Sequence, residues 1–291
     1  MDSLELVNLG ALMGRTSGSA ELTVALIDGP VAIGHVALAG ARLREIPGSH
    51  GTACAQASST ACLHGTFVAG MLSATRDSSA PAICPNCTVL IRPIFAEATL
   101  GREQMPSATP GELAVAILEC IEAGARVINL SLALAQPSSN GERSLEEALN
   151  HALKRGVIVV AAAGNQGTVG SSVITRHPWV TPVVACDMRG RPLNESNLGA
   201  SIGRRGLRAP GDSITSLGAH GQALTLSGTS VAVPFVTGAI ALLWSAFPSA
   251  TAAEIKLALS EPSRPRRASL VPPLLDAAAS YQLLLAGSAR R

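Results

Sequence analysis

The sequence predicts an α/β fold in which a doubly wound, mostly parallel central sheet carries helices on both faces. Short apolar runs rich in valine, isoleucine and alanine alternate along the chain with longer helix-like segments, as expected for parallel strands joined by crossover helices. Apolar residues make up 47% of the 291 residues, whereas aromatic residues make up only 2%. The core is therefore large enough for a folded domain and is predicted to pack mainly from alanine, valine, leucine and isoleucine.

The strands are predicted from apolar runs that do not alternate with polar residues. Continuous runs of this kind are typical of strands that are buried on both faces of a sheet. They predict strands at 22–27, 88–94, 126–130, 157–163 and 180–185.

The helices are predicted from longer segments and from residues that favour helix ends. They are expected at 64–76, 110–124, 144–155, 229–247, 251–260 and 273–286. Two capping boxes, Ser144 to Glu147 and Thr251 to Glu254, predict helix starts, and Gly156 predicts a helix end. Segments rich in Gly, Pro or Ser are predicted to be surface loops, at 98–110, 134–143 and 200–222.

We assign the whole chain, 1–291, to a single domain. Residues 1–20 precede the first predicted strand and are interpreted as an N-terminal extension. Residues 262–291 are expected to contain a C-terminal helix that packs on the domain.

Charge and apolar patterning argue against nucleic-acid and membrane partners. The net charge of +2 offers no electrostatic attraction to either. The uncharged stretch 231–247 approaches the length of a membrane span, but Pro234 and Gly238 interrupt it and favour a buried core helix. The N-terminus lacks the basic start and apolar core of a signal peptide, so we expect a cytoplasmic protein.

Four polar residues occupy positions where α/β proteins place their sites. Asp28 ends one apolar run and Asn165 follows another, whereas His64 and Ser230 stand at the start of small-residue helices. In open α/β sheets, the carboxyl edge of the strands is where ligands bind. Each residue taken singly has a structural alternative, as a helix N-cap, a semi-buried histidine or a turn residue.

The motifs around these residues resemble the subtilisin-like serine proteases, or subtilases, over most of the chain. The order Asp28, His64, Ser230 is the subtilisin order. The resemblance implies that Ser230 is the nucleophile, that His64 is the general base and acid, and that Asp28 orients the imidazole. It also implies that Asn165 and the backbone N–H of Ser230 donate hydrogen bonds to the oxyanion.

The same resemblance implies where a peptide substrate would lie. The segment 127–132 resembles the substrate-binding strand of the family, and a peptide is expected to lie extended beside Ser131, Leu132 and Ala133. The small residues after the next strand are expected to line the primary specificity pocket, namely Ala162, Ala163 and Gly164.

Variations on the motifs resemble one group of subtilases in particular. Gly29-Pro30-Val31 after Asp28, and Cys62 just before His64, are similar to the subtilases of cyanobactin maturation, which process ribosomally made precursor peptides. One branch of that group removes a leader peptide, and the other macrocyclises and carries a helical insertion between its Asp and His. The short Gly-, Ala- and Ser-rich segment between Asp28 and His64 favours the leader-removing branch.

Three other functions stay open on the sequence. A general cytoplasmic subtilase and a peptide macrocyclase would share the same residues. A non-catalytic binding module of subtilase fold is the third alternative, against which the intact set of four polar residues argues.

No cofactor or metal is predicted. Many subtilases bind calcium, but segment 34–38 lacks the usual aspartate and segment 75–85 offers only Asp77 as a carboxylate. The sequence leaves open whether four cysteines form disulfides, bind zinc or stay free; these are Cys54, Cys62, Cys84 and Cys87.

Overall fold

A computed structural model of the protein describes residues 2–47, 54–97, 108–132, 142–261 and 269–289. The strands β1 to β9 are Thr23–Asp28, Arg42–Glu45, Thr88–Pro93, Val127–Leu130, Ile158–Ala162, Val180–Cys186, Leu207–Pro210, Ile214–Leu217 and Ala223–Leu226. The helices α1 to α10 are Ser3–Leu6, Leu9–Met13, Thr60–Ser73, Pro110–Glu122, Glu142–Arg155, Val173–Arg176, Ala200–Arg205, Thr229–Ala246, Ala252–Ser260 and Ala277–Ser288.

The first seven strands form one sheet in the order β2-β3-β1-β4-β5-β6-β7. Every pairing between neighbours in this sheet is parallel, so the carboxyl ends of β1, β4 and β5 lie at one edge. Strands β8 and β9 form a separate antiparallel pair. The predicted fold class, an α/β fold with a mostly parallel central sheet, is confirmed.

Helices cover both faces of the sheet because alternate residues of its strands point to opposite sides. On β1, Val24 and Leu26 belong to a core shared with α3 and α8, whereas Ala25 and Ile27 belong to a core shared with α4 and α5. Buried residues on both sides explain why the strand sequences are continuously apolar.

Helix α8 is long and apolar enough to cross a membrane, and among the residues that the structure describes it is the one helix that passes this test. However, 83% of its apolar window is buried inside the protein. It packs against β4, β5, β6 and β7. The core helix of a globular protein passes the same test, and the burial agrees with the interpretation of 231–247 as such a helix.

Both ends of the chain contact the central fold. Leu9 and Leu12 of α2 are buried in the core that contains α8. Helix α10 packs against α2 and α9. The predicted boundaries at residues 20 and 262 are not tested by these contacts and stay predictions.

Residues 200–222 were expected to form a surface loop, and that expectation is wrong. They contain α7, β7 and β8. The glycines that suggested a loop stand between short elements, and β7 owes its strand conformation to parallel pairing with β6 rather than to an apolar run of its own.

Two helix starts also differ from the sequence prediction. The helix that carries His64 begins at Thr60, with Ser59 as its N-cap, so His64 lies in its second turn. Helix α5 begins at Glu142, before the capping box predicted at Ser144. In contrast, the capping box of Thr251 with Glu254 is present at the start of α9. The loop predicted at 98–110 lies mostly outside the described residues, as does most of the loop predicted at 134–143.

The four cysteines whose state the sequence left open fall into two separate pairs. Cys54 and Cys62 form a disulfide, with Cα atoms 5.6 Å apart. Cys84 and Cys87 are buried thiols that lie elsewhere in the fold. The four cysteines therefore do not gather into the zinc site that the sequence had left open.

Candidate active site

The site is assembled where the end of β1 meets helix α3. Asp28 is the last residue of β1 and is fully buried. A side chain at Gly29 would place its Cβ 2.0 Å from the carbonyl oxygen of Ala61, and one at Gly65 would place it 2.5 Å from that of Gly29. The two glycines therefore allow the helix to approach the strand end closely and bring His64 against Asp28.

His64 links the strand to the central helix. Its Nδ1 lies 2.7 Å from Oδ1 of Asp28, and its Nε2 lies 3.0 Å from Oγ of Ser230. Oδ1 of Asp28 also accepts a hydrogen bond from the Gly29 N–H at 2.7 Å. The imidazole is 22% exposed, so it faces the solvent on one side and the buried carboxylate on the other.

The surroundings of His64 change its pKa in opposite directions. Burial of the imidazole lowers the pKa, because the charged form loses hydration. The negative charge of Asp28 and the hydrogen bond to it raise the pKa, and the net result is a pKa above the usual 6.5. Near neutral pH the imidazole therefore accepts a proton more readily than a free histidine does.

Ser230 stands in the first turn of α8, which begins at Thr229. Its carbonyl oxygen accepts a hydrogen bond of 2.8 Å from Oγ of Ser131, at the end of β4. Oγ of Ser131 in turn accepts from Nδ2 of Asn129, whose Oδ1 accepts from Oγ1 of Thr237 on α8. This buried series of hydrogen bonds joins the sheet to α8 and fixes the position of Ser230 relative to the end of β4.

Asn165 lies beside the start of α8 with its amide in a defined orientation. Its Oδ1 accepts hydrogen bonds from the backbone N–H of Thr229 at 2.9 Å and from Oγ1 of Thr229 at 2.8 Å. With the oxygen occupied in this way, the Nδ2 donor is the atom left for a ligand. Asn165 is exposed, so that donor is accessible.

The residues predicted to contact a peptide lie near this edge, with two qualifications. The Ser131 side chain is buried and turned toward Ser230, so only its backbone is left for a peptide. Leu132 is partly buried at the end of the described segment, and Ala133 lies outside the described residues. Ala162, Ala163 and Gly164 are all buried where β5 ends.

The sequence interpretation missed the residues that support this site. Asn129, Thr229 and Thr237 make the hydrogen bonds that hold Ser230 and Asn165, but none had been singled out. Thr229 adjoins Ser230, and this proximity was the one feature of the sequence that could have marked any of the three as a supporting residue. The contact between Asn129 and Thr237 joins residues 108 positions apart and could be found only in the folded chain.

One cavity and one group of possible metal ligands contain none of the four polar residues, although Cys62 precedes His64 by two positions on α3. A cavity of about 870 Å³ lies between α4 and α5, and none of the predicted site residues lines it. The one candidate metal group in the described part of the chain is Cys54, Cys62 and Glu97. Its two sulfur atoms are joined in the disulfide, and the Glu97 carboxylate accepts hydrogen bonds from the backbone of Ala55 and Gln56.

Comparison with known proteins gives consistent matches. Residues 19–270 match the Peptidase S8 subtilase family. The thermostable alkaline protease of Halalkalibacterium halodurans is 32% identical over 199 residues, which are 68% of this chain and 51% of that protein. The chain therefore matches about half the length of this relative.

Two solved structures resemble almost the whole chain. A mutant of the protease domain of PatA superposes with a TM-score of 0.86 at 32% identity, over 94% of this chain and 98% of that one. The prenylagaramide maturation protease PagA superposes with a TM-score of 0.83 at 29% identity, over 95% of this chain and 98% of that one.

Proposed function

Because this chain belongs to the subtilase family, as its motifs predicted, we propose that it is a serine endopeptidase that processes a precursor peptide. The observation that carries the proposal is the continuous hydrogen-bonded series Asp28–His64–Ser230 at an accessible sheet edge. A serine hydroxyl needs a neighbouring base to become nucleophilic, and His64 is within reach of it.

The chemical steps follow from the positions of these groups. Oγ of Ser230 attacks the peptide carbonyl while Nε2 of His64 takes its proton, and the same imidazole then protonates the leaving amine. Asp28 holds Nδ1–H of His64 and stabilises the imidazolium ion. Removal of the amine leaves an acyl-enzyme, which water hydrolyses by the same route.

The negative oxygen that develops on the attacked carbonyl needs hydrogen-bond donors. The backbone N–H of Ser230, in the first turn of α8, belongs to the set of helix N–H groups without an intrahelical acceptor. Nδ2 of Asn165 supplies a second donor next to it. Donors held in place before reaction stabilise such charge without reorganisation.

The substrate class is inferred from the similarity to maturation proteases. PatA and PagA superpose on this chain over more than nine-tenths of its length, and PagA is a prenylagaramide maturation protease. We infer that this chain removes the leader from a ribosomally made precursor peptide, which lies extended along the end of β4 and against Ala162, Ala163 and Gly164.

The test is a digestion series analysed by mass spectrometry. A library of extended peptides and unfolded casein should be incubated with the protein at equal concentration. We expect cleavage at one short motif, with linear products and little digestion of casein. Casein cleaved as readily as the preferred peptide would indicate a general protease, and cyclic products would indicate a macrocyclase.

A binding module is the remaining alternative, and it is decided by a chemical probe. A fluorophosphonate reacts with an activated serine and should label the protein at Ser230. Failure to label the folded protein would contradict the proposed catalysis.

The pH dependence of cleavage is expected to report the ionisation of His64. Only the neutral imidazole can accept a proton, so kcat/KM should rise with pH through a pKa above 6.5. In Asp28→Asn the raising influence of the carboxylate is gone while burial remains, so the midpoint should move below 6.5. A pH–rate profile of both proteins checks this, and an unmoved midpoint would contradict the assigned pair.

The contribution of His64 to the free energy of unfolding should fall with rising pH, whereas kcat/KM should rise. Because the folded protein raises the pKa of His64, protonated His64 stabilises the fold below pH 6.5, and this contribution is lost as pH rises through the higher folded-state pKa.

The cytoplasmic location stays a prediction. The disulfide between Cys54 and Cys62 bears on it, since disulfides are rare in cytosolic proteins and common in oxidising compartments. Alkylation of free thiols in intact cells before lysis would measure whether this pair is oxidised where the protein works.

A further inference from the structure

Asn197 lies outside the four polar residues, on the connection between β6 and α7, and its side chain reaches the loop that carries Asn165. That loop follows β5 and contains Ala163, Gly164 and Asn165. Asn197 is partly buried and hydrogen-bonds to the residues on either side of Asn165, whereas Thr229 binds the Asn165 side chain.

Both the oxygen and the nitrogen of the Asn197 side-chain amide form hydrogen bonds with this loop. Its Oδ1 accepts from the N–H of Gln166 at 3.0 Å, and from both the N–H and Oγ1 of Thr168 at 3.1 Å. Its Nδ2 donates to the carbonyl of Ala163 at 3.2 Å and to Oε1 of Gln166 at 2.6 Å. Its backbone N–H donates to the carbonyl of Gly164 at 2.8 Å.

These contacts lie on both sides of Asn165 in the sequence. The residue before it, Gly164, and the residue after it, Gln166, are both hydrogen-bonded to Asn197. Gly164 has φ +104°, a conformation that side-chain-bearing residues rarely adopt, and a Cβ there would lie 2.3 Å from Nδ2 of Asn197. The turn at Asn165 is therefore held by the side chain and the backbone N–H of Asn197, together with Oγ1 of Thr229, which accepts from the N–H of Gly164 at 3.2 Å.

The segment that carries Asn197 is itself anchored to the sheet. Oγ of Ser196 donates to the carbonyl of Ala185 in β6, and the N–H of Leu193 donates to the same carbonyl. Farther along, Leu198 pairs with Val169 in a parallel bridge. Through Asn197, the loop after β5 is therefore hydrogen-bonded to a segment that is itself hydrogen-bonded to β6.

We propose that Asn197 is a positioning residue for the oxyanion donor. Thr229 sets the orientation of the Asn165 amide, and Asn197 sets the place of its backbone, so that Nδ2 of Asn165 points to the developing oxyanion. The proposal rests on the proposed function. A misplacement of about 1 Å in a reacting group can cost on the order of 10²-fold in rate.

The test is a double-mutant cycle in kcat on one cleavable peptide, with Asn197→Ala, Asn165→Ala and the double variant. A fluorophosphonate titration should set the concentration of active protein in each sample. We expect Asn197→Ala to lower kcat at least tenfold with KM changed less than threefold. In the Asn165→Ala background the same change should lower kcat less than threefold, because the donor that it positions is already absent.

The control is Asn194→Ala, an exposed asparagine three positions earlier on the same connection, which should keep wild-type kcat. If Asn197→Ala does not fold, Asn197→Asp takes its place in the cycle, because a carboxylate keeps the three accepted hydrogen bonds.

An equal loss of kcat in both backgrounds, or no loss at all, would overturn the positioning role. Hydrolysis that survives Ser230→Ala would instead overturn the proposed function, so the two failures are distinguishable.

Discussion

Replacing Ser230 by alanine is expected to lower kcat for peptide hydrolysis by about 10⁶-fold, the size of loss known for the nucleophilic serine of subtilisin. The change removes the attacking oxygen, while Asp28 and His64 keep the hydrogen bond between them. The fold should persist, since Oγ of Ser230 is bonded only to His64 among the described residues. Single-turnover assays at high protein concentration would measure the residual rate.

The matched control for this variant is Ser245→Ala on the same helix. Oγ of Ser245 donates to the carbonyl of Ala241, which is a local helix contact far from the sheet edge. We expect near-normal kcat for Ser245→Ala and similar thermal midpoints for both variants. A Ser230→Ala protein that folds and still hydrolyses peptides at a wild-type rate would exclude the serine mechanism.

Replacing Asn165 by aspartate or alanine is expected to lower kcat by roughly 10²–10³-fold, as found for an oxyanion donor of subtilisin. Aspartate is the more informative change because its carboxylate can still accept both hydrogen bonds from Thr229. The carboxylate cannot donate to the oxyanion and also places a negative charge beside it, and both effects act where the oxyanion develops, in the transition state. Steady-state kinetics should therefore show a lower kcat with little change in KM.

The contrast between kcat and KM is what tests the role of Asn165. If the residue only supported the turn after β5, alanine would lower the thermal midpoint and raise KM, and aspartate would leave kcat almost unchanged. Such a result would assign Asn165 to structure rather than to charge stabilisation.

The strands that the sequence predicted well are those buried on both faces. The predicted runs at 22–27 and 88–94 differ from β1 and β3 by about one residue at either end. Strand β2, Arg42–Glu45, was not predicted, because it is short, largely exposed and at the edge of the sheet. It owes its conformation to hydrogen bonds from β3, which no local pattern in its own sequence reveals.

The identities of the four site residues came from motifs, whereas their distances came from the fold. Asp28 and Ser230 are far apart in the sequence, and each stands beside the small residues that a close approach requires. Nothing in these motifs measures the 3.0 Å between His64 and Ser230, because that distance depends on how α3 and α8 pack against the sheet.

The sequence by itself determined the α/β class and the family, and it predicted the residues that we propose as nucleophile, base, carboxylate and amide donor, because strand burial and local motifs are properties of neighbouring residues. Only the tertiary structure decided that Ser131 faces Ser230, that Cys54 pairs with Cys62, and that Asn197 holds the loop of Asn165. The last contact joins segments about 30 residues apart through a single side chain. Such contacts depend on the geometry of parallel strands side by side, and no periodicity along the chain encodes that geometry.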